Sequence, residues 1–349
     1  MASGPLVYPG QNNTYVKNHA ATGNLVVEYS RNPDDFAVNK YIQITDVEKD
    51  SGYYLSITPE EAARVLSGTL DEFVWPDGAP RPRRNSGTET FQFSDYKTER
   101  YDYDFTLGDK SHQQADWDIV QTHAAIKAQQ AMTARTVAVH NVIGTNGNWD
   151  SNHYIDVATI SGNTGPWDAS TVARQDIKRS LNYAIETILK ATLGMVRRKD
   201  LVLVMGPDVA HAISESQEIV DHIKGSPDAY NQVVGNAGKF GEYQLPDKIY
   251  GVQLVIEDAV RVTNKRGASR ATSFVCDGDS AYLLARPGGL VSPGGGPNFS
   301  TAHLFVKEDM TVETRRSEDD RRTEGHVVDD FDCVLTAPSS GFKFNNTLT

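Results

Sequence analysis

The strongest constraint in this 349-residue chain is a helix-then-strand unit near its middle. Val172, Ile177, Leu181, Ala184, Ile185, Ile188, Leu189 and Leu193 recur at helical spacing, and Gly194 follows as a stop. Leu201-Val202-Leu203-Val204-Met205 then reads as a buried strand. Gly206-Pro207-Asp208 leads into a helix through about Ile213 and on to Val220–Lys224. Tyr250–Ile256, Ser273–Cys276 and Ala281–Ala285 are further strands. This alternation predicts an α/β module over residues 168–300, interrupted by a glycine- and proline-rich loop, Pro287–Pro297.

The flanking regions follow other rules. Residues 1–38 are rich in Asn, Gly, Tyr and Pro without helical period, and read as an extended arm that must lie against something else. Tyr41–Thr45 and Tyr53–Ile57 are short strands, and Thr58-Pro59-Glu60-Glu61 opens a helix to about Ser67 with Thr58 as N-cap. Pro76–Gly87 is a polar, turn-rich tract. Thr90–Ser94 and Tyr101–Phe105 after it alternate strictly between aromatic and polar residues. Strands flanking a long tip make a projecting β-arm, too thin to be stable without a neighbour. A long helix is predicted from about Gln113 to Val139. Its intermittent stripe is Ile119, Ala125, Ile126, Met132, Val137 and Val139, filled in by alanines 124, 128, 131 and 134. His303–Val306, Thr311–Thr314 and Val327–Leu335 bring the chain back as strands.

Charge and cysteine content narrow the function. The formal charge is −12, from 46 acids against 34 bases, so a sequence-independent grip on phosphate is not expected; beside nucleic acid the chain would contain rather than bind it. Cys276 and Cys333 stand far apart in apolar strand settings and read as reduced core thiols. Neither a bilayer-length apolar run nor a signal peptide is visible, which predicts a protein that stays in the cytoplasm where it is made.

The search for chemistry yields no catalytic, cofactor-binding or metal-binding residue. There is no phosphate-binding Gly-x4-Gly-Lys, and Gly288–Gly296 is broken by prolines with no helix after it. The nine histidines form no His-Glu-x-x-His pair or zinc spacing, and His211 and His222 stand about three turns apart. No Gly-x-Ser-x-Gly elbow occurs. The mixed run Arg315–Arg322 reads as a solvated face or an inter-subunit ion-pair site.

The order of parts resembles the major capsid protein family of tailed phages, whose fold is named after phage Hong Kong 97. Asp176–Leu193 followed by Asp200–Val209 looks like that family's helix, strand and turn at the entry to its central domain. Lys248–Val260 is similar to its later strand, and Thr336–Phe342 to its close. The resemblance implies an α+β Hong Kong 97-like fold: an N-terminal arm (1–38), a β-hairpin E-loop with flanking strands (39–110), a P domain with a long spine helix (111–167), an α/β A domain (168–300) and return strands of the P domain (301–349). It implies a non-enzymatic major capsid protein that self-assembles through hexamers and pentamers into an icosahedral bacteriophage shell around double-stranded DNA, without sequence-specific contacts or cofactors. The expected location is the virion, after assembly in the host cytoplasm. Expected partners are copies of itself, a scaffold, a portal and a decoration protein, with no membrane. Some members join a lysine of the E-loop to a neighbour's asparagine; Lys97 lies in that region, with Asn345 and Asn346 near the other end, but no motif identifies them. The same fold also serves encapsulin-like nanocompartments. A soluble α/β hydrolase-like enzyme is a third reading, and it leaves the projecting arm and the missing nucleophile motif unexplained.

Overall fold

The computed structural model describes residues 36–57, 76–78, 80, 91–114, 118–168, 176–194, 196–223, 243, 245–265, 267–285 and 300–349. Nearly all of the predicted arm, the helix opened by Thr58, most of the 76–87 tract, Val172 and the 287–297 loop lie outside these residues.

One turn of helix, α1 (Val38–Tyr41), precedes β1 (Gln43–Asp46), β2 (Ser51–Ile57), β3 (Phe91–Lys97) and β4 (Glu99–Gly108). Two helices follow, α2 (Asp109–Gln114) and α3 (Ile119–Gly144), then the short β5 (Tyr154–Asp156) and α4 (Asp176–Ala191). Next come β6 (Leu201–Met205), α5 (Pro207–Glu215), α6 (Gln217–Ile223), β7 (Lys248–Ile249), β8 (Val252–Ile256), β9 (Val260–Val262), β10 (Thr272–Phe274) and β11 (Ala281–Ala285). The chain closes with β12 (His303–Ser317), β13 (Arg322–Val334) and β14 (Phe342–Asn345).

Two larger sheets organise these elements. The six-stranded sheet runs β5-β14-β11-β6-β8-β7, and the four-stranded sheet β1-β12-β13-β4. Strand periodicity divides the interior into two cores, because successive side chains point to opposite faces. Leu201, Leu203 and Met205 of β6, with Ala281, Leu283 and Ala285 of β11, meet Ile177, Leu181 and Ile188 of α4 and Val209 and Ile213 of α5. Val202, Val204, Tyr282 and Leu284 face the other way. There they join Val139 and Ile143 of α3, Val38 and Tyr41 of α1, and Leu304, Val306, Phe331 and Cys333 of the four-stranded sheet. The second core therefore ties the two sheets into one body. The predicted periodic helix is real, but Leu189 and Leu193 at its end are exposed.

The long helix departs from its expected course. It starts at Ile119, where Asp118 caps it by accepting hydrogen bonds from the amides of Val120 and Gln121, both 3.1 Å, and it runs to Gly144. Its 26 residues span about 39 Å. The buried stripe is Ala131, Met132, Arg135, Thr136, Val139, His140 and Ile143, so polar residues hold positions that a hydrophobic pattern assigns to apolar ones. Its last four carbonyls are all taken by side chains. Thr145 Oγ1 donates to Asn141 (2.7 Å), Asn148 Nδ2 to Val142 (2.8 Å), Trp149 Nε1 to Ile143 (2.8 Å), and Lys343 Nζ to Gly144 (2.6 Å). Side chains therefore close this end of the helix, where no glycine takes a positive φ.

Two pairings differ from the sequence reading. The projecting ribbon is formed by β2 with β3, from Ser51–Lys97 to Ile57–Phe91, whereas the alternating 101–105 segment lies in β4 and pairs with β13. The closing strand β14 joins β11 and β5 of the six-stranded sheet, not the return strands β12 and β13, because Phe342 and Phe344 are buried in the α4 core. The six-stranded sheet therefore draws strands from outside the predicted 168–300 module.

Candidate assembly surfaces

The β2–β3 ribbon has one anchored face and one open face. On the anchored face, the Tyr96 ring stacks on buried Phe305 of β12 at 4.6 Å between centroids, and Tyr54 stacks on it at 5.8 Å. Gly52 is required beside Tyr96, since a Cβ there would meet the ring at 2.6–2.8 Å. The root is tied further by the Lys97 amide, which donates to Asp332 (2.9 Å), and by the Lys307–Asp50 ion pair. On the open face, Tyr53 and Phe93 are 77% and 71% exposed. Register pairs Tyr53 with Asp95, two residues from Phe93 on the same strand, which places Tyr53 and Phe93 on one face. Aromatic rings this exposed on a two-stranded ribbon form an adhesive surface in search of a partner.

The four-stranded sheet behind the ribbon is made stiff. Arg135 of α3 is buried and makes a paired contact with buried Asp329 of β13, Nε at 3.2 Å from Oδ2 and Nη2 at 2.5 Å from Oδ1. Nη2 also reaches Asp309 at 2.9 Å, and the guanidinium lies over the Phe331 ring at 5.5 Å. Burial works against the charge on Arg135, but the bonds it donates to Asp329 and Asp309 outweigh it and raise its pKa. Burial raises the Asp329 carboxyl, with Arg135 opposing. Between β13 and β4, Gly325 faces Phe105, whose ring fills the space a side chain would need. The β12–β13 hairpin extends beyond to the mixed-charge turn, where Arg316 pairs with Asp109 and Glu318, and Arg322 with Asp320 and Glu324. The Arg315–Arg322 run thus lies at an exposed hairpin end.

A buried polar cluster sits where the sheets meet. Tyr41 donates to Glu257 Oε2 (3.0 Å) and lies 2.9 Å from His140 Nε2. Because the hydroxyl has a single hydrogen, the imidazole donates from Nε2, and its Nδ1 is left as an acceptor without a hydrogen-bond partner among the described residues. His140 also lines a cleft of about 210 Å³ together with Asn141, Thr145, Arg261, Asp277 and Tyr282. Burial lowers the His140 pKa to about 4, Arg261 adding to the effect, and burial raises Tyr41 well above its usual value. Burial likewise raises both thiols, Cys333 to about 12, so each is held as a neutral core group. This cluster is a packing joint: its groups are locked in the uncharged or hydrogen-bonded forms that the interior favours.

Other residues singled out by sequence are dispersed. Lys97 is exposed at the ribbon root, Asn345 is half-buried at the end of β14 and Asn346 is exposed just beyond it. His211 is exposed on α5, and among the described residues no three His, Cys, Asp or Glu side chains gather as a metal site. Among those residues no helix is long and apolar enough to cross a membrane.

No family model and no curated protein matches the sequence. The folds of solved structures do match. A phage-related protein from Bordetella bronchiseptica is 13% identical, over 94% of this chain and 97% of that one, with a TM-score of 0.58. The mature capsid of bacteriophage PhiM1 aligns over 88% of this chain and 85% of its own at 10% identity and a TM-score of 0.52. The capsid of a native GTA particle aligns over 91% of both chains at 12% identity, also at 0.52. This chain has the phage-capsid fold. The likeness covers the mixed α+β architecture nearly end to end, including the two linked sheets.

Proposed function

We propose that this chain is a major capsid protein, the repeating subunit of an icosahedral bacteriophage shell. The observation that carries this reading is a near full-length phage-capsid fold combined with a β2–β3 ribbon whose aromatic face stands open among the described residues. Each ribbon lies on an adjacent subunit and buries Tyr53 and Phe93 there. The sheet locked by Arg135 and Asp329 keeps ribbon and central body at a fixed angle. Repeated weak contacts at fixed angles close into a shell. The central α/β body corresponds to the domain that gathers around five-fold and six-fold positions. Its work is geometric rather than catalytic. The net charge of −12 suits a container for packed double-stranded DNA, which it would repel rather than hold. Scaffold, portal and decoration proteins are the further partners of this reading, and the virion, assembled in the host cytoplasm, is its location.

Negative-stain electron microscopy with size-exclusion chromatography tests it. Sixty copies of a 38.4 kDa chain weigh on the order of 2 MDa. Round shells, or rings of five and six subunits, are expected from the chain alone or with its scaffold. A monomer under both conditions overturns the reading, and shells that copurify with an enzyme cargo instead of a genome-packaging partner redirect it to a nanocompartment.

A further inference from the structure

The β9–β10 ribbon is a second two-stranded element standing apart from both larger sheets, and the shell reading above gives it no role. Register places Val262 opposite Thr272 and Val260 opposite Phe274, so these four share one face. That face is open: Val260, Val262 and Phe274 are 48%, 56% and 38% exposed. The opposite face carries Arg261 and Ser273, which are half-buried against the body, and Arg261 there lines the cleft beside His140.

The tip is built rather than loose. Thr263 N donates to Ala271 O (3.0 Å), Ala271 N to Asn264 Oδ1 (3.2 Å), and Ala268 N to Lys265 O (3.2 Å), with Gly267 at φ +95° allowing the turn. At the root, Val275 N donates to Ala259 O (2.8 Å), and both residues are buried. A ribbon tied at both ends presents its open face without an ordering cost at the moment of contact.

Charge identifies what that face meets. Residues 260–275 contain Arg261, Lys265, Arg266 and Arg270 and no acid, a local charge of +4. Taken from the total of −12, this leaves −16 on the rest of the chain. A basic, apolar-faced projection on an otherwise acidic chain is complementary to another copy of that chain. Nucleic acid is a poorer match, because phosphate has no use for an open face of Val260, Val262 and Phe274.

We propose that the β9–β10 ribbon is a second subunit-to-subunit contact, whose open apolar face and basic tip dock on an acidic surface of a neighbouring copy. The inference rests on the assembly reading and names a contact separate from the β2–β3 ribbon.

The test uses the full-length chain with p-benzoylphenylalanine in place of the exposed Val262, irradiated after assembly, beside the double variant Lys265→Glu/Arg270→Glu. Expected results are a crosslinked band of two chains and at least a tenfold loss of assembled material in the double variant, with unchanged tryptophan fluorescence. The expected loss in the wild type on raising salt points the same way. A crosslink confined within one chain overturns the inference, as does a double variant that assembles like the wild type. Wild-type binding to double-stranded DNA that the double variant loses while its shells stay normal overturns it in favour of nucleic acid. A wild-type chain that never assembles removes the shell reading itself, an outcome distinct from normal shells in both proteins.

Discussion

His140 gives the chain a measurable acid sensitivity. Its imidazole is 6% exposed, packed against Tyr41 and Tyr282 and faced by Glu257, Arg261 and Asp277, and its folded pKa is about 4. In the unfolded chain a histidine titrates near about 6.5. The unfolded state therefore binds the proton first as pH falls. The contribution to stability is fully present above about pH 6.5, falls as the medium acidifies, and levels off below about pH 4. A displacement of about 2.5 pKa units corresponds to about 3 kcal/mol, of which about 2 kcal/mol is lost between pH 7 and pH 5. Asp329 and Asp332, raised mainly by burial, act with the opposite sign, so the wild-type curve alone does not isolate the histidine. The perturbation is His140→Gln, which keeps a donor towards Tyr41 and removes the titration. Urea unfolding of the unassembled subunit, followed by the fluorescence of buried Trp149 and Trp167, is measured at pH 7 and pH 5 for both proteins. The wild type should lose about 2 kcal/mol more than the variant over that interval. An equal loss in the two proteins would refute the assignment of a neutral, desolvated His140.

The same packing sets three further outcomes. Arg135→Met leaves Asp329 buried without its partner and should cost about 3–5 kcal/mol in urea unfolding, whereas Arg135→Met with Asp329→Leu should recover most of the loss. Gly325→Ala forces Phe105 out of its place and should destabilise by about 1–3 kcal/mol, with the cost reduced in a Phe105→Leu background. Tyr53→Ser with Phe93→Ser alters only exposed rings and should change subunit stability by less than about 0.5 kcal/mol per site, while shells visible by electron microscopy disappear.

Local pattern was enough for the interior. Five consecutive apolar residues at Leu201–Met205, and the period of Ile177 to Ile188, foretold the central strand and its helix because the one is buried throughout and the other along a single face. The long helix was harder. Its inner face holds Arg135 and His140, whose partners are distant in sequence, Asp329 at 194 residues and Tyr41 at 99, while Thr136 bonds back to Met132 one turn earlier. Strand partners were harder again. Tyr53–Ile57 and Tyr101–Phe105 look equally suited to pair with Phe91–Lys97, and the choice depends on Gly325, whose missing side chain admits Phe105 and so draws β4 to β13. The adhesive surfaces were half legible. The aromatic alternation around Phe93 points to one, whereas Phe274 reads as part of an ordinary strand and Val262 falls in no predicted element, because exposure of a short apolar strand leaves no mark in sequence.

That difference bears on how such a chain divides its hydrophobic surface. Alternation across β6 and β11 sends every side chain into one of two cores, so the central body needs nothing further to hold it. Both two-stranded ribbons are built otherwise. Each has one face secured, by Phe305 under β2–β3 and by the half-buried Arg261 side under β9–β10, and the other face open. Two-stranded ribbons are marginal by themselves. Fixing the inner face to the body supplies the rigidity, and the open face then keeps its apolar surface for association. Monomer stability alone gives no reason for large apolar side chains at Tyr53, Phe93 and Val262, which are mostly exposed. Their presence on the two ribbons outside the two cores is what a subunit needs if its final stability comes from its neighbours.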